Sequence, residues 1–199
     1  FSGKAPAPFV KEPVVPSHSS GQLERTAQAL AGSKKPVLVI GSQCMLRPER
    51  ARALAAAVKS LGIPVFLAGM ARGLLGSKEA LQFRHKRSQA LKEADLILIA
   101  GLPVDFRLNY GFQLNRRAFH IGVNRSRSDL KKNKSPDLAV LADPCDFLIA
   151  LAHQGGGEDR KAWTAVLRER ENQRDAEIHA MAKDRGRSVN PIALAERFD

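Results

Sequence analysis

Five short runs of apolar residues, spaced along the middle of the chain, constrain its fold more than any other feature. They are Pro36-Val-Leu-Val-Ile40, Pro64-Val-Phe-Leu67, Asp95-Leu-Ile-Leu-Ile-Ala100, Ala118-Phe-His-Ile-Gly-Val123 and Leu138-Ala-Val-Leu141. Each is too short for a helix, and most are too continuously apolar for a strand with one wet face. Such runs suit strands covered on both sides, as in a parallel sheet. Helical patterns fall between them. The clearest spans Pro48 to Leu61, with Pro48 near its first turn and Gly62 just past its end. Its Ala51, Leu54, Ala55 and Val58 recur at i, i+3, i+4 and i+7, and Leu61 continues one core-facing stripe. Shorter helices are predicted over 22–31, over 86–94 and from an Asp143-Pro144 cap to about His153. Strands alternating with helices predict an α/β fold: an open parallel sheet with helices on both faces, joined by right-handed crossovers.

Composition shifts set the expected boundaries. Residues 1–21 carry Pro6, Pro8, Pro13 and Pro16 and read as an extended linker from a preceding domain. The α/β domain is expected over 22–153. Gly155-Gly156-Gly157 marks its end, and 154–199 reads as a linker, a connecting helix and the start of a following domain. In that helix, Glu158 to Lys183, the apolar Trp163, Val166, Leu167, Ile178 and Met181 make only a broken stripe. A first residue other than Met and a helical pattern running to Asp199 are those expected of a piece of a longer polypeptide. No run approaches the ~18 apolar residues of a membrane span, and no basic-then-apolar leader opens the chain. Two cysteines exclude a disulfide scaffold.

Charge gives the first functional indication. The 32 Lys and Arg exceed the 20 Asp and Glu, for a formal charge of +12. Fourteen of the cations and five of the acids fall between Arg72 and Lys134, which places nine of the net charges there. Such a field attracts phosphate groups. Aromatic residues make up only 6% of the chain, and no zinc-finger spacing or aromatic RNA-binding motif occurs, so no nucleic-acid partner is expected.

In open α/β sheets, ligands sit outside the carboxyl ends of the strands. The loops predicted there contain Arg47, Arg72, Arg107, Arg125 and Arg127 together with several glycines. Glycine permits close backbone approach and arginine pairs with phosphate through its planar fork, so an anionic ligand is predicted. Gly41-Ser-Gln-Cys-Met-Leu46 lacks the G-x-G-x-x-G spacing, which argues against a nicotinamide dehydrogenase. No nucleophile elbow, P-loop or H-E-x-x-H is present, so neither a catalytic residue nor a metal-ligand set is predicted. Cys44 and Cys145 are expected as buried thiols, and His85 and His120 as surface or packing residues. The run Arg84-His-Lys-Arg87 is expected as a solvated face.

With these elements placed, the chain resembles the central domain of thiamine-diphosphate-dependent enzymes of the acetolactate synthase superfamily, from about Leu23 to Ala152. The marks are Lys35-Pro-Val-Leu-Val-Ile-Gly41, Leu61-Gly-Ile-Pro-Val65, Ala94-Asp-Leu-Ile-Leu-Ile-Ala-Gly101 and Leu141-Ala-Asp143. Arg87-Ser-Gln-Ala-Leu91 and Gly101-Leu-Pro-Val-Asp-Phe-Arg-Leu-Asn-Tyr-Gly111 are similar to the 2-hydroxyacyl-CoA lyase and oxalyl-CoA decarboxylase branch. Acetolactate synthases usually carry Ala-Asn where Arg87-Ser88 stand.

The resemblance implies a Rossmann-like domain holding FAD in acetolactate synthases, and ADP or part of CoA in the acyl-CoA lyases. By position it implies Gly41, Arg87, Ser88, Gly101 and Asp143 as cofactor-binding residues; Asn124 stands where the family usually has Asp. It implies thiamine diphosphate and Mg²⁺ in the full-length enzyme, with the catalytic glutamate in the preceding domain and the Mg²⁺ motif in the following one, so that this piece alone is inert. The implied partners are an acyl-CoA substrate, flanking catalytic domains and further copies in a homo-oligomer. The implied location is intracellular, in the cytoplasm or at the endoplasmic reticulum. The implied activity is cleavage of the carbon–carbon bond of a 2-hydroxyacyl-CoA. An FAD-containing carboligase of acetolactate type and a non-catalytic nucleotide-binding or interaction domain are the alternatives.

Overall fold

Two of the most apolar runs occupy the middle of the sheet. Strands β1 (Pro36–Ile40) and β4 (Leu96–Ala100) have all their residues buried, and they pair in parallel from Pro36↔Leu96 to Ile40↔Ala100. A computed structural model describes residues 17–155, 160–183 and 189–195. On one side β1 pairs with β2 (Val65–Leu67), which pairs with β3 (Gln82–Phe83). On the other, β4 pairs with β5 (Phe119–Asn124), and β5 with β6 (Leu138–Leu141). The sheet is therefore fully parallel with order β3-β2-β1-β4-β5-β6.

Alternate strand residues feed two cores, because successive side chains point to opposite faces. Leu38, Ile40, Leu96, Leu98, Ile121 and Val123 face helices α1 (Ser20–Gly32), α2 (Ala51–Leu61) and α5 (Pro144–Ala152), meeting Leu23, Leu54, Leu61, Phe147 and Leu151. Val37, Val39, Phe66, Phe83, Ile97 and Ile99 face the opposite way. There they meet Ala90 and Leu91 of α3 (Arg87–Glu93), Leu108 and Leu114 of the segment after β4, and Trp163 and Leu167 of α6 (Lys161–Ala182). Two short helices, α4 (Arg127–Leu130) and α7 (Pro191–Ala195), complete the α-helices among the described residues. The expected open sheet with helices on both faces is the one observed.

The differences from expectation are local. Strand β3 lies where the sequence pattern predicts none, since two residues cannot display a period. Helix α1 starts at Ser20 rather than 22 because Ser19 and Gln22 form a capping box: Gln22 N donates to Ser19 Oγ at 3.3 Å, and Ser19 N to Gln22 Oε1 at 3.0 Å. The first turn of the Pro48 helix is a tight 3₁₀ turn, Pro48–Arg50. The proline-rich residues 1–16, Gly156-Gly157 and the last residues 196–199 lie outside the described residues. Among the described residues, no helix is long and apolar enough to cross a membrane.

Helix α6 is more tightly seated than a connecting helix on the surface. Trp163 Nε1 donates to Pro36 O at 3.1 Å, and the Lys35 ammonium lies 5.7 Å from the indole centroid. Arg168 places its guanidinium 4.5 Å from the Phe83 ring centroid and donates to Ala80 O. Val166 and Met181, two of the residues in the predicted stripe, are exposed.

Candidate functional site

The strand order reverses between β1 and β4, and a crevice is expected at that switch point. There the loops after the two strands pack against each other. After β1, Gly41 N donates to Ala100 O at 2.8 Å and Gln43 N to Gly101 O at 3.1 Å. A Cβ on Gly41 would lie 2.6 Å from Gly101 O, and one on Gly101 would lie 3.0 Å from both Cys44 N and Cys44 Sγ. Gly101 also has φ +76°, in the left-handed region. These glycines, expected to let backbone approach a ligand, also let the two loops approach each other. Cys44 lies beneath, and burial, with Cys145 and Asp143 nearby, pushes its thiol well above the usual range. Cys145 is pushed up to about 11 by burial first and then by Asp143 and Asp146. Both thiols stay protonated and inert near neutral pH.

Asp143 occupies a second place. Its carboxylate is 3% exposed and caps α5, accepting from Cys145 N at 2.9 Å and Asp146 N at 3.1 Å. Arg47 lies 3.2 Å from it and 2.5 Å from Asp146, and Arg125 approaches Asp143 to 3.8 Å. Asn124, 1% exposed, accepts from Gln43 Nε2 and Ser126 N, each at 2.9 Å. Asp143 thus serves the fold through its cap and its ion pairs with two of the strand-end arginines. A third, Arg107, is bound by Asp105 at 2.6 Å. Three of the five loop arginines are therefore held in ion pairs.

Of the other two, Arg127 begins α4, and Arg72 lies with Arg84 and Arg87 at a separate cleft. This cleft, of about 640 Å³, opens at the carboxyl ends of β2 and β3 and the start of α3. Phe66, Leu67 and Phe83 form its apolar part, Arg72, Arg84 and Arg87 its cations, and Gln82, Ser88 and Gln113 its neutral polar groups. Arg87 is half-buried, and its Nη2 donates to Arg107 O at 2.5 Å. Burial, and then the positive charge of Arg72, hold the Arg87 guanidinium below its usual value. Neither Arg72 nor Arg87 has a carboxylate partner among the described residues. Two like charges held together without a counter-charge suit an anion. Of the five expected residues, Arg87 and Ser88 meet in this cleft; Gly41 and Gly101 meet at the switch point, and Asp143 caps α5.

Two clusters have the composition of a metal site: His85, Glu171 and Asp175, and Asp143, Cys145 and Asp146. Each holds a guanidinium instead. Arg84 lies 3.2 Å from Glu171 and 2.9 Å from Asp175, while Arg47 pairs with Asp143 and Asp146. Neither Glu171 nor Asp175 is among the residues expected from the sequence. Their signal was present, since Trp163, Leu167, Glu171 and Asp175 follow one another at i+4 on one helix face.

The family described as "Thiamine pyrophosphate enzyme, central domain" matches residues 23–151. The chain is 40% identical over 191 residues to 2-hydroxyacyl-CoA lyase 2 of Danio rerio, covering 93% of this chain and 31% of that protein. It is 43% identical over 166 residues to 2-hydroxyacyl-CoA lyase 2 of Mus musculus, covering 81% of this chain and 26% of that protein. A probable acetolactate synthase of Mycobacterium bovis is 32% identical over 181 residues, with coverage of 90% and 33%. The chain therefore spans about a third of the length of the curated relatives it matches.

Proposed function

The chain belongs to the thiamine pyrophosphate enzymes as their central domain, and from that premise we propose that it serves a lyase cleaving the carbon–carbon bond of a 2-hydroxyacyl-CoA. Within it, this domain holds the phosphate-bearing part of the ligand, either ADP or the nucleotide end of CoA. The observation that carries the reading is the cleft. Arg72 and Arg87 face it without a carboxylate partner among the described residues, beside the Ser88 hydroxyl and the apolar Phe66 and Phe83. Cations over an apolar floor suit a ligand that joins phosphate to a flat ring. The relatives named for an acyl-CoA substrate support the same class.

Thiamine diphosphate, when bound, supplies the carbanion-stabilising chemistry of such a cleavage. The described residues do not fit its Mg²⁺, because arginines take both acidic clusters. No catalytic step is assigned to this chain; its residues bind and orient. The reading carries with it the flanking catalytic domains, a homo-oligomer and an intracellular setting, cytoplasmic or at the endoplasmic reticulum, where acyl-CoA esters occur.

The second reading, an FAD-containing carboligase of acetolactate type, is favoured by the Mycobacterium bovis relative. One experiment separates the two. The protein carrying this domain is incubated with a 2-hydroxyacyl-CoA, thiamine diphosphate and Mg²⁺, and in parallel with pyruvate. Loss of the acyl-CoA that requires both cofactors is expected. Pyruvate condensation without acyl-CoA cleavage would establish the carboligase instead, and turnover of neither substrate would refute both.

A further inference from the structure

The turn that brings Arg87 to the cleft is held by a helix outside the residues that the family match covers. Glu171, on α6, is 2% exposed. One of its oxygens accepts from Arg84 N at 3.0 Å and Arg84 Nε at 3.2 Å; the other accepts from Arg84 N at 3.1 Å and His85 N at 2.9 Å. One turn on, Asp175 accepts from Arg84 Nη2 at 2.9 and 3.1 Å and lies 3.0 Å from His85 Nε2. Lys86 follows with φ +54°, a conformation that a residue with a side chain adopts only when its surroundings hold it. Helix α3 begins at the next residue, Arg87. Arg170 ties the far end of α3 to α6 through Glu93 at 2.9 Å.

Two successive backbone N–H groups on one buried carboxylate fix the plane of the turn. Asp175 meanwhile takes the outer edge of the Arg84 guanidinium. We propose that Glu171 is a positioning residue for the anion cleft: it ties the backbone at Arg84 and His85 and so sets where Arg87 projects. This rests on the reading of the cleft as a phosphate site. The carboxylate reaches the ligand only through the turn, so its effect must depend on Arg87.

That dependence is the test. ADP is titrated calorimetrically into the full chain as wild type, Glu171→Gln, Arg87→Ala and the double variant, with circular dichroism confirming the fold of each. Glu171→Gln should weaken ADP binding about tenfold in the wild-type background and less than about twofold where Arg87 is already alanine. Equal losses in the two backgrounds would show general destabilisation and overturn the proposal. So would an unchanged affinity for Glu171→Gln alongside a weakened Arg87→Ala. An Arg87→Ala variant that binds ADP as wild type does would instead refute the cleft itself, and this proposal with it. Should Glu171→Gln not fold, Glu171→Asp keeps the charge and withdraws the carboxylate by one methylene. The same dependence on Arg87 is then expected, and an additive loss would overturn it.

Discussion

Gly101 follows β4 with φ +76° and with Cys44 pressed against the space where a side chain would begin. Alanine there meets two costs at once, left-handed backbone strain and a contact of 3.0 Å with Cys44. Gly101→Ala should therefore lower stability by roughly 2–3 kcal/mol in urea unfolding, and an unchanged midpoint would show that the switch point can open. His120 is the other residue whose surroundings make a sharp demand. It is 2% exposed, neither ring nitrogen has a partner among the described residues, and its pKa is pushed down to about 4 from 6.5. Burial is the main cause and Lys134 the second, with Asp137 acting the other way. Above pH ~6.5 the ring is neutral in both folded and unfolded chains, and stability is unaffected. As pH falls toward 4 the unfolded chain takes up the proton first, so stability is lost over that window, by roughly 3 kcal/mol. Unfolding midpoints measured at pH 7 and pH 4.5 should show this loss in the wild type and a smaller one in His120→Leu. Equal slopes would contradict it.

Among the elements, α6 departs most from its sequence pattern. Its buried face runs Trp163, Leu167, Glu171, so an acid stands where an amphipathic stripe calls for an apolar residue. The stripe therefore reads as broken, although the helix is anchored along the β3 edge. Trp163→Ala should lower stability by roughly 3–5 kcal/mol, since it empties a core position and leaves the Pro36 carbonyl without its donor. A loss below about 1 kcal/mol in chemical denaturation would mean that α6 is only loosely docked. The opposite holds for β1, β4 and α2. Their continuous or 3.6-periodic apolar residues were legible because burial alone dictates them. Strand β3 was not, for want of length. In the candidate cleft, Arg87 and Ser88 were legible through the family resemblance and Arg72 through loop charge. The pairing of Arg47 with Asp143 and Asp146 was not legible, because it joins residues about a hundred positions apart. Only the folded sheet shows which arginines are neutralised and which are left to face a ligand.

Across the whole molecule, a formal charge of +12 draws phosphate of any kind toward the surface. Two features set the proposed site apart from that general attraction: Arg47, Arg107 and Arg125 stand in ion pairs, while Arg72 and Arg87 line a cleft with an apolar floor. The central claim is that this cleft holds a phosphate. It is tested most directly by titrating ADP, CoA and FAD into wild type and Arg87→Ala at a fixed ionic strength near 0.15 M, where diffuse surface attraction is largely screened. A charge-assisted hydrogen bond is worth about 1.5–3 kcal/mol, so Arg87→Ala should weaken ADP or CoA binding roughly tenfold to a hundredfold. Affinities for all three ligands that do not change on losing Arg87, or no binding of any of them to the wild type, would contradict the account.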